Sequence, residues 1–298
     1  MSMRSPTSDA RLLAGRTAIV TGGASGIGQA TVLRFAAHGA AVVAADLNAV
    51  SGETLLDIAE KHGVADRVRF VECDISVEQA VSDLADSAVA ETGRLDVMFN
   101  NAGVGGAFGH LCDVTGDDWD YTFAVNCRGV FLGVKHAARV MRSTGRGGSI
   151  INTASIAALS GDSGPMAYSA AKAAVVNLTQ SSAVSLAADA IRVNCICPGS
   201  IMTPLLGRDH GTEFATGLLD RAQPWPHLGR PEHVANVALF LASELSEFVT
   251  GTSIVIDGGA SAAGPRINRL LAPLMSAPPG ASGVARGSTG QSPTIRRR

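Results

Sequence analysis

Thr17-Ala18-Ile19-Val20-Thr21-Gly22-Gly23-Ala24-Ser25-Gly26-Ile27-Gly28 is the stretch whose reading decides the fold. Its first five residues form a short apolar run rich in β-branched side chains, the composition of a buried strand. A glycine turn follows, and a helical pattern runs on through Phe35. Glycines at 22, 26 and 28 let the backbone turn tightly and approach a pyrophosphate, whose charge then sits at the helix N-terminus. By itself such a turn is also an ordinary strand-to-helix loop. The next strand, Ala41 to Ala45, ends in Asp46, at the distance expected for an acid that binds the ribose hydroxyls of an adenosine half. Together the two features point to a dinucleotide.

Outward from this unit the alternation continues. Helices are expected near Val50 to His62 and Val77 to Thr92, with strands at Val68 to Cys73 and Leu95 to Phe99. Strands alternating with helices predict a parallel sheet covered on both faces, in a single α/β domain. Asp74 follows the third strand, where it meets an adenine amino group or caps the next helix. Asn100-Asn101-Ala102-Gly103 follows the fourth, at a strand end where open α/β sheets bind ligands. A long helical pattern from Asp117 to Met141 carries Asn126 among apolar and small residues. A buried amide needs partners, so Asn126 is either a structural hydrogen-bonder or a water holder. Further strands are expected at Ser149 to Thr153, Arg192 to Cys197 and Ser253 to Ile256, and further helices at Met166 to Leu186 and Glu232 to Ala242.

Composition sets the bounds. The chain has 298 residues, 46% hydrophobic and 17% charged, enough for one substantial core. A net charge of −2 gives no electrostatic case for nucleic acid or an anionic membrane, and no apolar run is long enough to span a bilayer. Met1 to Leu12 reads as a polar leader without a signal core. Five cysteines, an odd number without a C-x-x-C pair, argue against a disulfide framework or a metal site and favour a reducing cytoplasm. Cys195 and Cys197 read as alternate core residues of a strand. From Ser261 onward Ala, Gly, Pro, Ser and Arg dominate, and a disordered tail is expected.

Chemistry concentrates between Ser155 and Lys172. Tyr168 and Lys172 lie one helical turn apart, so a phenol and an ammonium share a face. A free phenol with a pKa of about 10 is a poor base at neutral pH. An ammonium roughly 4 Å away at an effective dielectric near 20 contributes about 4 kcal/mol, or roughly three pKa units. Tyr168 is then expected to titrate near 7, where it accepts a proton from an alcohol and returns it to a ketone. In an arbitrary helix the same pair is a solvated face. The hydride carrier implied by the glycine turn is what makes it chemical.

In their order along Leu13 to Gly259, Thr21-Gly22-x-x-x-Gly26-x-Gly28, Asp46, Asp74, Asn100-Asn101-Ala102-Gly103, Asn126, Ser155, Tyr168-x-x-x-Lys172, Pro198-Gly199 and Thr203 resemble the motifs of the short-chain dehydrogenases/reductases. The resemblance implies a doubly wound, seven-stranded parallel sheet in a Rossmann arrangement and a catalytic tetrad of Asn126, Ser155, Tyr168 and Lys172. It implies cofactor binding by Gly22, Ser25, Gly26, Ile27, Gly28, Asp46, Asp74, Ile75, Asn101, Ala102, Gly103, Tyr168, Lys172, Pro198, Gly199, Ile201 and Thr203. Lys172 also binds the nicotinamide ribose in this scheme, Asn126 holds a water, and Thr203 with the backbone near Ile201 holds the carboxamide. Gly129 to Met141 is similar to the plant alcohol dehydrogenases of the secoisolariciresinol type. NAD(H) is the expected cofactor, because NADP(H) would want a basic residue near Ala24 or Leu47. A homotetramer is expected through Met166 to Leu186 and Asp117 to Met141.

Substrate is read from three apolar segments. Val104, Phe108, Ile156, Leu159, Met166, Met202 and Trp225 are candidate lining, with Leu205, Leu206, Phe214, Leu218 and Leu219 from an irregular lid over 204–230. Arg208 and His210 are read as solvent-facing, and no buried cation is evident for an anionic substrate. An uncharged secondary alcohol or ketone, plausibly cyclic, is expected. The alternatives are a 3-ketoacyl-carrier-protein reductase and a scaffold that binds NAD(H) without turnover.

Overall fold

The computed structural model describes residues 11–161, 163–204 and 223–263, with the backbone of two short strands at 281–284 and 294–297. Strands β1 (Thr17–Thr21), β2 (Ala41–Asp46), β3 (Val68–Glu72), β4 (Val97–Asn100), β5 (Gly148–Thr153), β6 (Ile191–Pro198) and β7 (Ser253–Ile256) form one sheet. Their order is β3-β2-β1-β4-β5-β6-β7, with every pairing parallel. Among the described residues the helices are α1 (Gly26–Ala37), α2 (Ala49–Lys61), α3 (Glu78–Thr92), α4 (Gly116–Phe123), α5 (Gly129–Thr144), α6 (Met166–Leu186) and α7 (Pro231–Ala242). The expected α/β architecture is the one observed.

Strand alternation sorts the core onto two faces. Ala18, Val20, Phe99, Ile151 and Ile196 pack with Val32 and Phe35 of α1 and Val234 of α7. Ile19, Val43, Met98 and Ile150 pack on the other face with Leu84 of α3 and Leu132 of α5. Both faces are covered, as a parallel sheet requires. Each large side chain so buried contributes about 1.5–3 kcal/mol.

The chain runs outward from β1 to β3, then returns to place β4 on the other side of β1. This reversal makes a crevice beyond the carboxyl ends of β1 and β4, where such sheets bind ligands.

One expected element differs. The continuous helix from Asp117 to Met141 is interrupted by a π turn at Ala124–Arg128, between α4 and α5. Propensity gave no sign of it, because the interruption is held by long-range bonds from α4 and the turn to the loop after β4. Sequence-read strand limits shift by one or two residues, as at β4, where Leu95 precedes the strand and Asp96 accepts a bond from Thr17 N at 2.8 Å.

Beyond Ser261 the chain forms a separate unit, Ala262–Arg298. There β8 (Ala281–Val284) and β9 (Thr294–Arg297) pair antiparallel, in a segment whose composition predicts no regular structure. A two-stranded pair of this length is marginal by itself. The polar leader through residue 10, and lid residues 205–222 with Leu205, Leu206, Arg208, His210, Phe214, Leu218 and Leu219, lie outside the described residues. Among the described residues no helix is long and apolar enough to cross a membrane.

Candidate active site

The crevice is built by the ends of β1 and β4. Gly22 has φ +62°, and a Cβ there would lie 2.8 Å from Ala102 Cα, so only glycine fits the turn. Thr21 Oγ1 accepts from Asn101 N at 3.0 Å and Ala102 N at 3.1 Å. Asn101 Nδ2 donates to Thr21 O at 3.1 Å and Gly22 O at 3.3 Å. These bonds lock the glycine turn to the strand end beside it. Thr21 stood in the sequence motif without a role, and its hydroxyl supplies this joint.

Ser25 is the N-cap residue of α1 but makes no side-chain cap bond, and the first turn, with Gly26, Ile27 and Gly28, holds no acid. The positive end of the helix is thus available to an anion. Asp46 closes the β2 end of the crevice. Its Oδ2 accepts from Ala24 N at 3.1 Å and its Oδ1 from Asn48 N at 3.1 Å. Asp74 Oδ1 accepts from Ser76 N at 2.8 Å and Ser76 Oγ at 2.7 Å, so it caps the turn that includes Ile75.

On the other side β6 ends at Pro198. Gly199 N donates to Ile256 O at 2.9 Å, and Ile201 pairs with Gly229 in an isolated bridge. Thr203 reaches back to the glycine turn, since a Cβ on Gly26 would lie 3.2 Å from Thr203 Cγ2. Gly22, Asp46, Asn101, Gly199 and Thr203 thus stand at or beside the carboxyl ends of β1, β2, β4 and β6. A tight backbone cradle, an open helix N-terminus and a carboxylate at the neighbouring strand end fit a pyridine dinucleotide.

Ser155, Tyr168, Lys172 and Asn126 meet at the β5 end of this crevice. Ser155 Oγ accepts from Ala157 N at 3.1 Å, and its hydroxyl is near enough to the Tyr168 phenol to favour the ionised form. Lys172 is buried, its Nζ donates to Thr153 O at 2.9 Å, and it stands 5.6 Å from the centre of the Tyr168 ring. Asn126 is fully buried in the π turn. A Cβ on Gly103 would lie 2.8 Å from Asn126 Oδ1 and 3.5 Å from Lys172 Nζ, which places both beside the β4 loop. Of the two roles open to Asn126, its side chain takes the structural one, with both polar atoms on the Val104 backbone.

The electrostatics correct one expectation. Tyr168 does not titrate near 7 in this chain. Burial raises the phenol above its ordinary 10, the Ser155 hydroxyl lowers it only in part, and nearby Cys197 raises it further. Burial also pulls Lys172 down to about 8, against the opposing effects of Cys127 and Cys197. The sequence estimate assumed a solvated ammonium beside the phenol oxygen, whereas the buried ammonium is turned to the Thr153 carbonyl.

Beneath the site runs a buried polar chain that sequence reading missed. Asn100 Nδ2 donates to Asn152 Oδ1 at 2.9 Å, Asn152 Nδ2 to Thr179 Oγ1 at 3.0 Å, and Thr179 Oγ1 to Val175 O at 2.8 Å. It ties β4, β5 and α6 together below the catalytic groups. Asn152 interrupting an apolar strand was its one visible signal. Cys195 and Cys197 are fully buried core residues, as expected.

A family model described as Enoyl-(Acyl carrier protein) reductase matches residues 22–261. The chain is 41% identical over 263 residues to "Momilactone A synthase" of Oryza sativa subsp. japonica, covering 86% of this chain and 93% of that protein. It is 38% identical over 268 residues to "(+)-borneol dehydrogenase 2" of Salvia officinalis, covering 87% and 93%. The crystal structure of levodione reductase superposes with a TM-score of 0.79 at 33% identity, over 84% of this chain and 99% of that one.

Proposed function

The chain belongs to the short-chain dehydrogenase/reductase family, and we propose that it interconverts an uncharged, mainly apolar secondary alcohol and its ketone with NAD(H). The observation that carries this reading is the meeting of Ser155, Tyr168 and buried Lys172 at the end of the nucleotide crevice. When bound, the nicotinamide group supplies or accepts the hydride.

The chain's own residues handle the proton and the oxygen. Ser155 presents its hydroxyl to the substrate oxygen beside the Tyr168 phenol. Tyr168, protonated at neutral pH, is set to give a proton to a ketone oxygen; in the reverse direction it takes one from the alcohol. Lys172 lies beneath the ring, and its positive charge favours the tyrosinate that reduction leaves behind. Gly22, Ser25, Gly26, Ile27 and Gly28 would hold the pyrophosphate, and Asp46 the adenosine ribose. Asn101, Ala102, Gly103, Pro198, Gly199, Ile201 and Thr203 would hold the nicotinamide half, with Asp74 and Ile75 beside the adenine.

NAD(H) is preferred over NADP(H) in this reading. Asp46 ends the strand nearest a 2′-phosphate, and positions 24 and 47 are alanine and leucine. An apolar substrate is supported by exposed Phe108, Leu159, Met166 and Trp225 on segments that follow the sheet's carboxyl edge. The borneol in one relative's name is a cyclic secondary alcohol, which supports the same class. A homotetramer in a reducing cytoplasm completes the reading, supported by exposed Tyr121, Phe131 and Val184 on α4, α5 and α6 and by five free cysteines. The matching family model favours an acyl-carrier-protein reductase as a second reading.

A turnover assay tests these together. Cyclic alcohols with NAD⁺ are expected to react faster than hydroxy acids, sugar phosphates, or acyl-carrier-protein substrates with NADPH. Faster turnover of the anionic or carrier-bound set overturns the substrate class, and binding without any turnover leaves the scaffold.

A further inference from the structure

Thr153 ends β5 with its side chain buried and its hydroxyl without a hydrogen-bond partner among the described residues. A buried hydroxyl left unpaired is costly and calls for an explanation. Its direction follows from the ladder. Asn100 and Asn152 are paired in register and their side-chain amides bond each other on one face of the sheet. Alternation sends the next residue of each strand, Asn101 and Thr153, to the opposite face. Asn101 Nδ2 on that face reaches the carbonyls of Thr21 and Gly22, so it is the face of the glycine turn. Ile151, two residues before Thr153, packs there against the cluster that contains Ile196, Ile201 and Phe35. The hydroxyl is therefore carried on the crevice side, between the ends of β4 and β6.

We propose that the Thr153 hydroxyl is a binding group for the nicotinamide-ribose half of the dinucleotide. This rests on the nucleotide reading of the crevice. Three strand spacings separate β2, where Asp46 stands, from β5. At about 4.8 Å each they put Thr153 roughly 14 Å from the adenosine end, so the distal half of the ligand is the part that reaches it. The peptide carbonyl of the same residue holds Lys172 Nζ. One residue thus serves the crevice twice, by its carbonyl through the lysine and by its hydroxyl directly. The other buried atoms of this kind lie away from the crevice: Arg69 Nε stands 2.7 Å from Glu91 Oε2, and the His136 nitrogens belong to the α3–α5 packing, where Glu78 Oε1 stands 3.4 Å from Nε2.

The test is a fluorescence titration of the full chain, without substrate, using NADH and ADP-ribose as separate probes. Thr153→Val keeps the shape and removes the hydroxyl; it is expected to weaken NADH binding about fivefold while ADP-ribose binding changes less than about twofold. Thr153→Ser is expected to restore NADH binding, and the unfolding temperature of Thr153→Val is expected to match or exceed that of the parent. Unchanged NADH affinity in Thr153→Val, equal weakening of both probes, or failure of Thr153→Ser to restore binding overturns the proposal. Failure of the parent chain to bind either probe overturns the nucleotide reading itself. Should Thr153→Val not fold, Thr153→Ala takes its place in the same comparison.

Discussion

Asn126 closes a two-point ring on Val104: its Oδ1 accepts from Val104 N at 3.1 Å and its Nδ2 donates to Val104 O at 3.0 Å. One turn earlier, Thr122 Oγ1 accepts from Ala107 N at 2.8 Å. The two buried side chains fix the loop after β4 as it passes Lys172. Asn126→Leu would leave both Val104 groups unpaired, at a cost of about 1–3 kcal/mol each if they stay dry. The expected result is a lower unfolding temperature together with lost turnover. Asn126→Asp keeps the acceptor and loses the donor, so its thermal stability should fall between parent and leucine variant.

Tyr168→Phe removes the proton-transfer group and keeps the ring. Turnover should fall by about 100-fold or more, while NADH binding by fluorescence titration stays near the parent value. Retention of more than a few per cent of the rate would show that another group carries the proton.

Asp46→Ala tests cofactor choice. The parent should favour NAD⁺ over NADP⁺ by at least about tenfold in kcat/KM, equivalent to roughly 1.4 kcal/mol, because a carboxylate meets the 2′-phosphate with like charge. The variant should lose most of that ratio. Equal use of both cofactors by the parent would remove Asp46 from this role.

Stability should depend on Lys172 in alkaline solution. Its ammonium titrates at about 8 in the folded chain against an ordinary 10.5. Below pH 8 both states hold the proton, and burying it costs about 3 kcal/mol. Between pH 8 and 10.5 the unfolded chain binds more protons, so this penalty fades and stability rises with pH. Tyr168, raised above 10, opposes the trend only beyond pH 10, where the unfolded chain loses its phenolic proton first. Thermal unfolding of parent and Lys172→Met from pH 7 to 10 should therefore converge as pH rises. Curves that stay parallel would show that the lysine is not buried as charge.

The sequence by itself determined the fold and which candidate residues stand at its strand ends. Apolar strands alternating with amphipathic helices permit few packings other than a covered parallel sheet, and a glycine turn with an acid after the next strand is a local pattern with a local cause. Gly22, Asp46, Ser155, Tyr168 and Lys172 were legible because each stands at a strand end or a helical spacing that sequence distance fixes. Tertiary structure alone decided how those groups are solvated and partnered. The Tyr168 phenol is raised rather than lowered, first because packing buries it and then because Cys197, distant in sequence, adds an unfavourable charge interaction. The π turn at Asn126 exists to meet Val104, 22 residues away, and the bonds from Asn101 to Thr21 span 80. Such partners are chosen by the packing of whole elements, and no window of sequence contains both ends of the bond.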